Sequence, residues 1–136
     1  MSLDIQERER EGVVILDLNG RLTVGQAATV LRDRIASLMN AGKNQAIINL
    51  EDVDYIDSTG LGTLVMCFRS LQTVKGGLKL LNLNKRNLEL LLLTKLSTVF
   101  ELFNDEQDAI NSFFPNREIK RFDILDFIKQ HQGEES

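Results

Sequence analysis

The residues of this chain with the clearest chemical potential are Asp57-Ser58-Thr59-Gly60-Leu61-Gly62, a hydroxyl set between a carboxylate and two glycines. A buried-strand pattern, Ala46-Ile47-Ile48-Asn49-Leu50, precedes them, and apolar residues follow at helical spacing: Leu61, Leu64, Val65, Phe68 and Leu71. Ser58 or Asp57 is therefore expected as the N-cap of a helix that runs to about residue 75. Gly60 and Gly62 fall in its first turn, where each costs about 0.8–1 kcal/mol against alanine. Both are read as clearance for an approaching partner, and free N–H groups at a helix start favour an anion. Ser58 presented there is suited to carrying a phosphoryl group, whose charge of about −1.5 to −2 at pH 7 is welcomed by the helix dipole. Asp57 is expected to orient the hydroxyl, contact a partner or act as a capping carboxylate. Thr59 is β-branched, is expected within the helix and is the lesser acceptor. Met66 and Arg69 lie off the apolar stripe and are expected to extend a contact surface.

Other chemistries lack their partners. A serine hydrolase needs a histidine base, and the one histidine, His131, stands near the C-terminus. A receiver-type aspartate needs an acidic pair near the end of the first strand and a lysine on the last. Here those places hold Asp17 and Asn19, and Phe100-Glu101-Leu102-Phe103 contains no lysine. The aspartic-protease triplet is interrupted by an extra residue, and no Gly-rich Lys-(Ser/Thr) phosphate loop occurs. Glu51, Asp52 and Asp54 read as a solvated loop before the motif, not as a metal site. Cys67 reads as a small buried hydrophobe. No catalytic residue, metal or cofactor is expected.

The elements that must position Ser58 can be read outward from it. Ile5–Glu9 and Val13–Leu18 form two strands joined at Glu11-Gly12, a hairpin signal. Thr23-Val24-Gly25-Gln26 reads as a capping box for a helix carrying Ala27, Leu31, Ile35 and Leu38 on one face and ending near Gly42. After the strand at 46–50 and the Ser58 helix, Gly76-Gly77 is a stop. Leu78–Leu83 is a strand, Asn84 caps a helix through Leu92, and Phe100–Phe103 is a short last strand before a helix from about Asp105 to Phe113. Alternating strands and helices make an α/β fold with a mainly parallel sheet of four to five strands and an N-terminal β-hairpin. Pro115, the one proline, divides a domain of residues 1–114 from an extension, 115–136. In that extension Phe122, Leu125, Phe127 and Ile128 form a short amphipathic segment. It is expected either to fold back on the domain or to serve self-association or partner docking. The last four residues are expected to be disordered.

The whole chain limits the class of function. It has 136 residues, 43% hydrophobic and 26% charged, as in an ordinary single globular domain. A net charge of −4 and a pI near 5.0 argue against nucleic acid or an anionic membrane as the main partner. One cysteine, no signal peptide and no long apolar span lead to the expectation of a cytoplasmic location without membrane insertion.

These residues also carry a resemblance. Asp57-Ser58-Thr59-Gly60-Leu61-Gly62 is similar to the signature of STAS domains, named for sulfate transporters and anti-sigma factor antagonists. It most resembles the free-standing antagonist class, whose motif reads Asp-Ser-(Ser/Thr)-Gly-Leu-Gly. Ile48-Asn49-Leu50-Glu51-Asp52-Val53 and Asn19-Gly20-Arg21-Leu22 continue the match, over roughly residues 3 to 114. The resemblance implies helices packed on one face of the sheet and Ser58 as the phosphoacceptor. It also implies a loop around Arg21 and Thr23 that joins the partner contact. Thr23 departs from the pattern, since the family often has an acidic residue there. By resemblance the protein is a regulator and not an enzyme: an anti-sigma factor antagonist, phosphorylated by an anti-sigma factor serine kinase and restored by a serine phosphatase. The other role within the resemblance is an accessory subunit docking on a transporter ATPase. A homodimer is left open.

Overall fold

The computed structural model describes residues 3–120 and 123–130. Strands β1 (Asp4–Arg10) and β2 (Val13–Leu22) form the antiparallel hairpin. Glu11 and Gly12 both have positive φ, 54° and 81°, the geometry that a two-residue hairpin turn requires. Helix α1 (Gln26–Asn40), strand β3 (Gln45–Ile56), helix α2 (Ser58–Thr73) and strand β4 (Gly77–Leu81) follow. Helix α3 (Lys85–Leu93), a 3₁₀ turn at Leu96–Thr98, strand β5 (Leu102–Phe103), and helices α4 (Glu106–Asn111) and α5 (Ile124–Gln130) complete the elements among the described residues. The five strands lie in the order β1-β2-β3-β4-β5, and all pairs after the hairpin are parallel.

Alternation along the strands divides the core in two. Val14, Leu16, Leu18, Ile48 and Leu50 face the long helices, meeting Leu31 and Ile35 of α1, Leu64 and Leu71 of α2, and Leu88 and Leu91 of α3. Each such side chain contributes about 1.5–3 kcal/mol when removed from water. Val13, Ile15, Ile47, Leu81 and Phe103 face the other way, where Ala109 and Ile110 of α4 cover them together with Phe113 and Phe114. Helices α1 to α3 thus share one face as expected, and the short α4 sits on the opposite one.

Three expectations change. The acidic run Glu51–Asp54 is strand, not loop, because β3 continues to Ile56 alongside the end of β2, with Asp52 opposite Asn19 and Ile56 opposite Leu22. Beyond Asn49, β3 has no β4 residue beside it; there Val53 and Ile56 are buried, while Asp52, Asp54 and Tyr55 are exposed. The carbonyl of Val53 on that open edge is taken up by the side-chain amides of Asn84 and Asn87, at 3.2 and 3.0 Å. Second, Thr23 does not cap α1. The N-cap is Gly25, at φ 99°, and Gln26 instead accepts a hydrogen bond from the Leu3 backbone N–H at 3.2 Å. Third, the last strand shrinks to two residues.

In the extension, Ile124 and Phe127 of α5 pack against the main core while Leu125 is exposed. Phe122, His131 and the four terminal residues lie outside the described residues. Among the described residues, no helix is long and apolar enough to cross a membrane.

Candidate functional site

The site grows from the junction of β3 and α2. The Asp57 backbone N–H donates to the Leu22 carbonyl at the end of β2, 3.2 Å away. One Asp57 carboxylate oxygen accepts the Gly60 N–H at 2.7 Å, which makes Asp57 the N-cap of α2. The other accepts the Val24 N–H at 2.9 Å, and so ties the β2–α1 loop to the start of α2. Burial pushes the Asp57 carboxyl up, but the backbone N–H bonds from Gly60 and Val24 outweigh it and hold it below the usual carboxylate range. It is therefore charged at neutral pH.

With Asp57 in the capping role, Ser58 becomes the first helical residue, exposed to solvent. Thr59 follows, also exposed, its carbonyl accepting the Thr63 hydroxyl at 2.9 Å. The two glycines then part company. Gly60 is buried, and a Cβ placed on it would lie 2.0 Å from the Leu22 carbonyl oxygen. Its small size serves the close approach of α2 to β2, which corrects the reading of Gly60 as clearance for a partner. Gly62 is exposed with nothing within 4 Å of a added Cβ. Ser58, Gly62 and Met66 stand four residues apart and so share one helix face, with Arg69 a turn further on; all four are exposed.

Other expected contact residues fall around this stripe. Thr23 is half-buried in the loop that Asp57 holds, so the loop adjoins the start of α2 although Thr23 is no cap. Met66, 50% exposed, lines a groove between α1 and α2 with Ile35, Met39 and Cys67. Burial pushes the Cys67 thiol up to about 11, which leaves it an inert part of the core. Arg21 is exposed near the end of β2. It lines a groove of about 250 Å³ with Asp54, Tyr55 and Arg86.

Residues that the sequence did not single out complete the surroundings. Tyr55 stands two residues before the cap, and the Arg86 guanidinium of α3 lies over its ring, 5.0 Å from the centroid. This pair separates the Arg21 groove from a second cleft of about 250 Å³, whose walls include Tyr55, Asp57, Ser58, Arg86, Leu90 and Leu93. An aromatic residue close before the motif was the available signal. Arg86, twenty-eight positions after Ser58, left none. Val24, 70% exposed on the tethered loop, was also missed.

Comparisons with known proteins identify the family and the fold. The model of the STAS domain family matches residues 4–109. The anti-sigma-B factor antagonist of Bacillus subtilis is 32% identical over 102 residues, covering 75% of this chain and 92% of that protein. Protein TM1081 of Thermotoga maritima superposes with a TM-score of 0.75 at 26% identity, over 79% of this chain and 92% of that one. The anti-sigma factor antagonist SpoIIAA in its unphosphorylated form shares the fold, with a TM-score of 0.63 at 24% identity over 82% of this chain and 99% of that one. The Bacillus SpoIIAA structure in the phosphorylated form gives 0.64 at the same identity, over 81% and 99%.

Proposed function

The chain belongs to the anti-sigma factor antagonist group of the STAS domain family, and from that premise we propose that it is a cytoplasmic, non-enzymatic partner switch controlled by phosphorylation of Ser58. One observation carries this reading: Asp57, not Ser58, caps α2, so the exposed serine hydroxyl has no capping duty to perform. The unphosphorylated form binds an anti-sigma factor that is itself a serine kinase, and the sigma factor is released. The kinase then transfers the terminal phosphoryl group of ATP. The Ser58 Oγ–P bond forms, the bond to ADP breaks, and the hydroxyl proton passes to a base on the kinase.

The added dianion sits at the first position of α2, where the helix dipole stabilises it by about 0.3–1 kcal/mol, so the fold tolerates it. The effect is felt by the partner, which meets charge and bulk where it had fitted a hydroxyl. The exposed stripe of Ser58, Gly62 and Met66, with Thr59, Asp57 and the Thr23–Val24 loop, forms the contact face, and Arg21 lies at its margin. A serine phosphatase hydrolyses the ester and resets the switch. The solution of a like-folded Bacillus protein in both phosphorylated and unphosphorylated forms supports the reading.

Intact-mass analysis after incubation with ATP and the anti-sigma kinases of the source cell tests it. A single phosphate localised to Ser58 is expected. Absence of modification by every kinase, with capture of a transporter ATPase instead, would overturn it in favour of the accessory-subunit role.

A further inference from the structure

Helix α3 is fixed against the end of β3 by two asparagines. Asn84 and Asn87 both donate to the Val53 carbonyl, at 3.2 and 3.0 Å, and Asn84 also caps the helix by accepting the Asn87 N–H at 2.8 Å. Arg86 stands between these anchors, so its backbone has little freedom relative to β3. Its exposed side chain lies over the Tyr55 ring, 5.0 Å from the centroid. Stacking of that kind limits the guanidinium plane to one region and leaves N–H donors at its rim for an acceptor. Ser58 lies in the wall of the same cleft of about 250 Å³. The charged groups lining that cleft are Arg86, Asp57 and Glu89. Both Asp57 oxygens are already engaged by backbone N–H groups. Arg86 is the cation among them.

We propose that Arg86 is the seat of the phosphoryl group on Ser58, so that the phosphorylated protein closes a phosphoserine–arginine pair across the cleft between α2 and α3. The inference rests on Ser58 being the phosphoacceptor. A guanidinium fork and phosphate oxygens match in a two-point, charge-assisted geometry. Phosphorylation then changes two surface groups at once: the hydroxyl becomes a dianion, and Arg86 is withdrawn from any partner that contacts it. The pair also shields the ester from the phosphatase.

The test installs phosphoserine at position 58 of the full chain by codon reassignment, without a kinase, and follows the ³¹P resonance against pH. The second ionisation is expected below its ordinary value of about 6. In Arg86→Gln it should move up by about half a pH unit, a shift kept small by the exposure of the pair. Arg86→Lys should fall between the two, and Arg69→Gln, outside the cleft, should match the wild type. Superposition of the Arg86→Gln titration on the wild type would overturn the proposal. A second measurement needs no variant at 86: the Arg86 Nε–H resonance should move when Ser58 is replaced by phosphoserine, and an unmoved resonance also overturns it. Because no kinase is used, failure of kinase labelling at Ser58 would sink the switch reading on its own.

Discussion

Two helices begin side by side at the end of β3, and their polar side chains face in opposite directions. At the start of α3, Asn84 and Asn87 turn inward: both amides end on the Val53 carbonyl, and Asn87 is 1% exposed. At the start of α2, Asp57 reaches the Gly60 N–H and a loop N–H outside the helix, and Ser58 faces solvent. The first start uses its two asparagines to repair an open strand edge. The second is capped by one residue and presents the next. Ordinary capping by serine uses its oxygen on the backbone; here the carboxylate has taken that place, which makes the hydroxyl available to another molecule.

This contrast can be broken or sharpened by substitution. The largest effect is expected at Gly60, where alanine would drive a Cβ into the Leu22 carbonyl. Gly60→Ala should lose about 3 kcal/mol in urea unfolding, at the upper end of overpacking costs. Gly62→Ala, in open space, should instead gain up to about 1 kcal/mol from helix propensity. Equal losses at both glycines would mean that α2 does not rest on β2 as described.

Next comes Ser58. Ser58→Asp should weaken binding to the anti-sigma factor at least about 100-fold, near 2.7 kcal/mol, in calorimetry. Ser58→Ala should bind constitutively and stay within about 0.5 kcal/mol of wild-type stability. A strongly destabilised Ser58→Ala would show that the serine is structural after all. Asn87→Ala should behave in the converse way, with about 2 kcal/mol of stability lost through a buried hydrogen bond and affinity unchanged.

The smallest effect concerns Asp57. Asp57→Ala should lose about 1 kcal/mol, as a missing N-cap does. Its folded carboxyl titrates below the unfolded one, so its contribution is complete above the unfolded value and fades as pH falls through the folded value. Wild type should therefore lose more stability than Asp57→Ala on acidification below about pH 4. Parallel acid profiles for the two proteins would remove Asp57 from the capping account.

The motif and the order of elements were legible because local signals agreed. An apolar run, a capping carboxylate and helical spacing all sit within twenty residues of Ser58. The cap of α3 was legible for the same reason, since Asn84 acts on its own helix. What escaped notice depended on partners distant in sequence. Nothing local in Glu51-Asp52-Val53-Asp54 signals a strand, because the pairing partners of Asp52 and Val53 are Asn19 and Gly20, far earlier in β2. Gly60 looks like any first-turn glycine until the Leu22 carbonyl is placed beside it. The capping-box reading at Thr23 failed because the loop is held from outside, by Asp57, 33 residues away. A separation of similar size hid Arg86 and Tyr55 from one another.

The two rims of the sheet bear on how a partner can approach. One rim is β1, Asp4-Ile5-Gln6-Glu7-Arg8-Glu9-Arg10, in which charged side chains predominate, and the other is β5, two residues long. Charge along one rim and brevity at the other both discourage an added strand. Recognition by backbone zippering, in which a peptide extends a sheet and is read through its main chain, is thus poorly served at either end. A binding protein is left to read side chains on helices and loops, where one phosphate can change the answer.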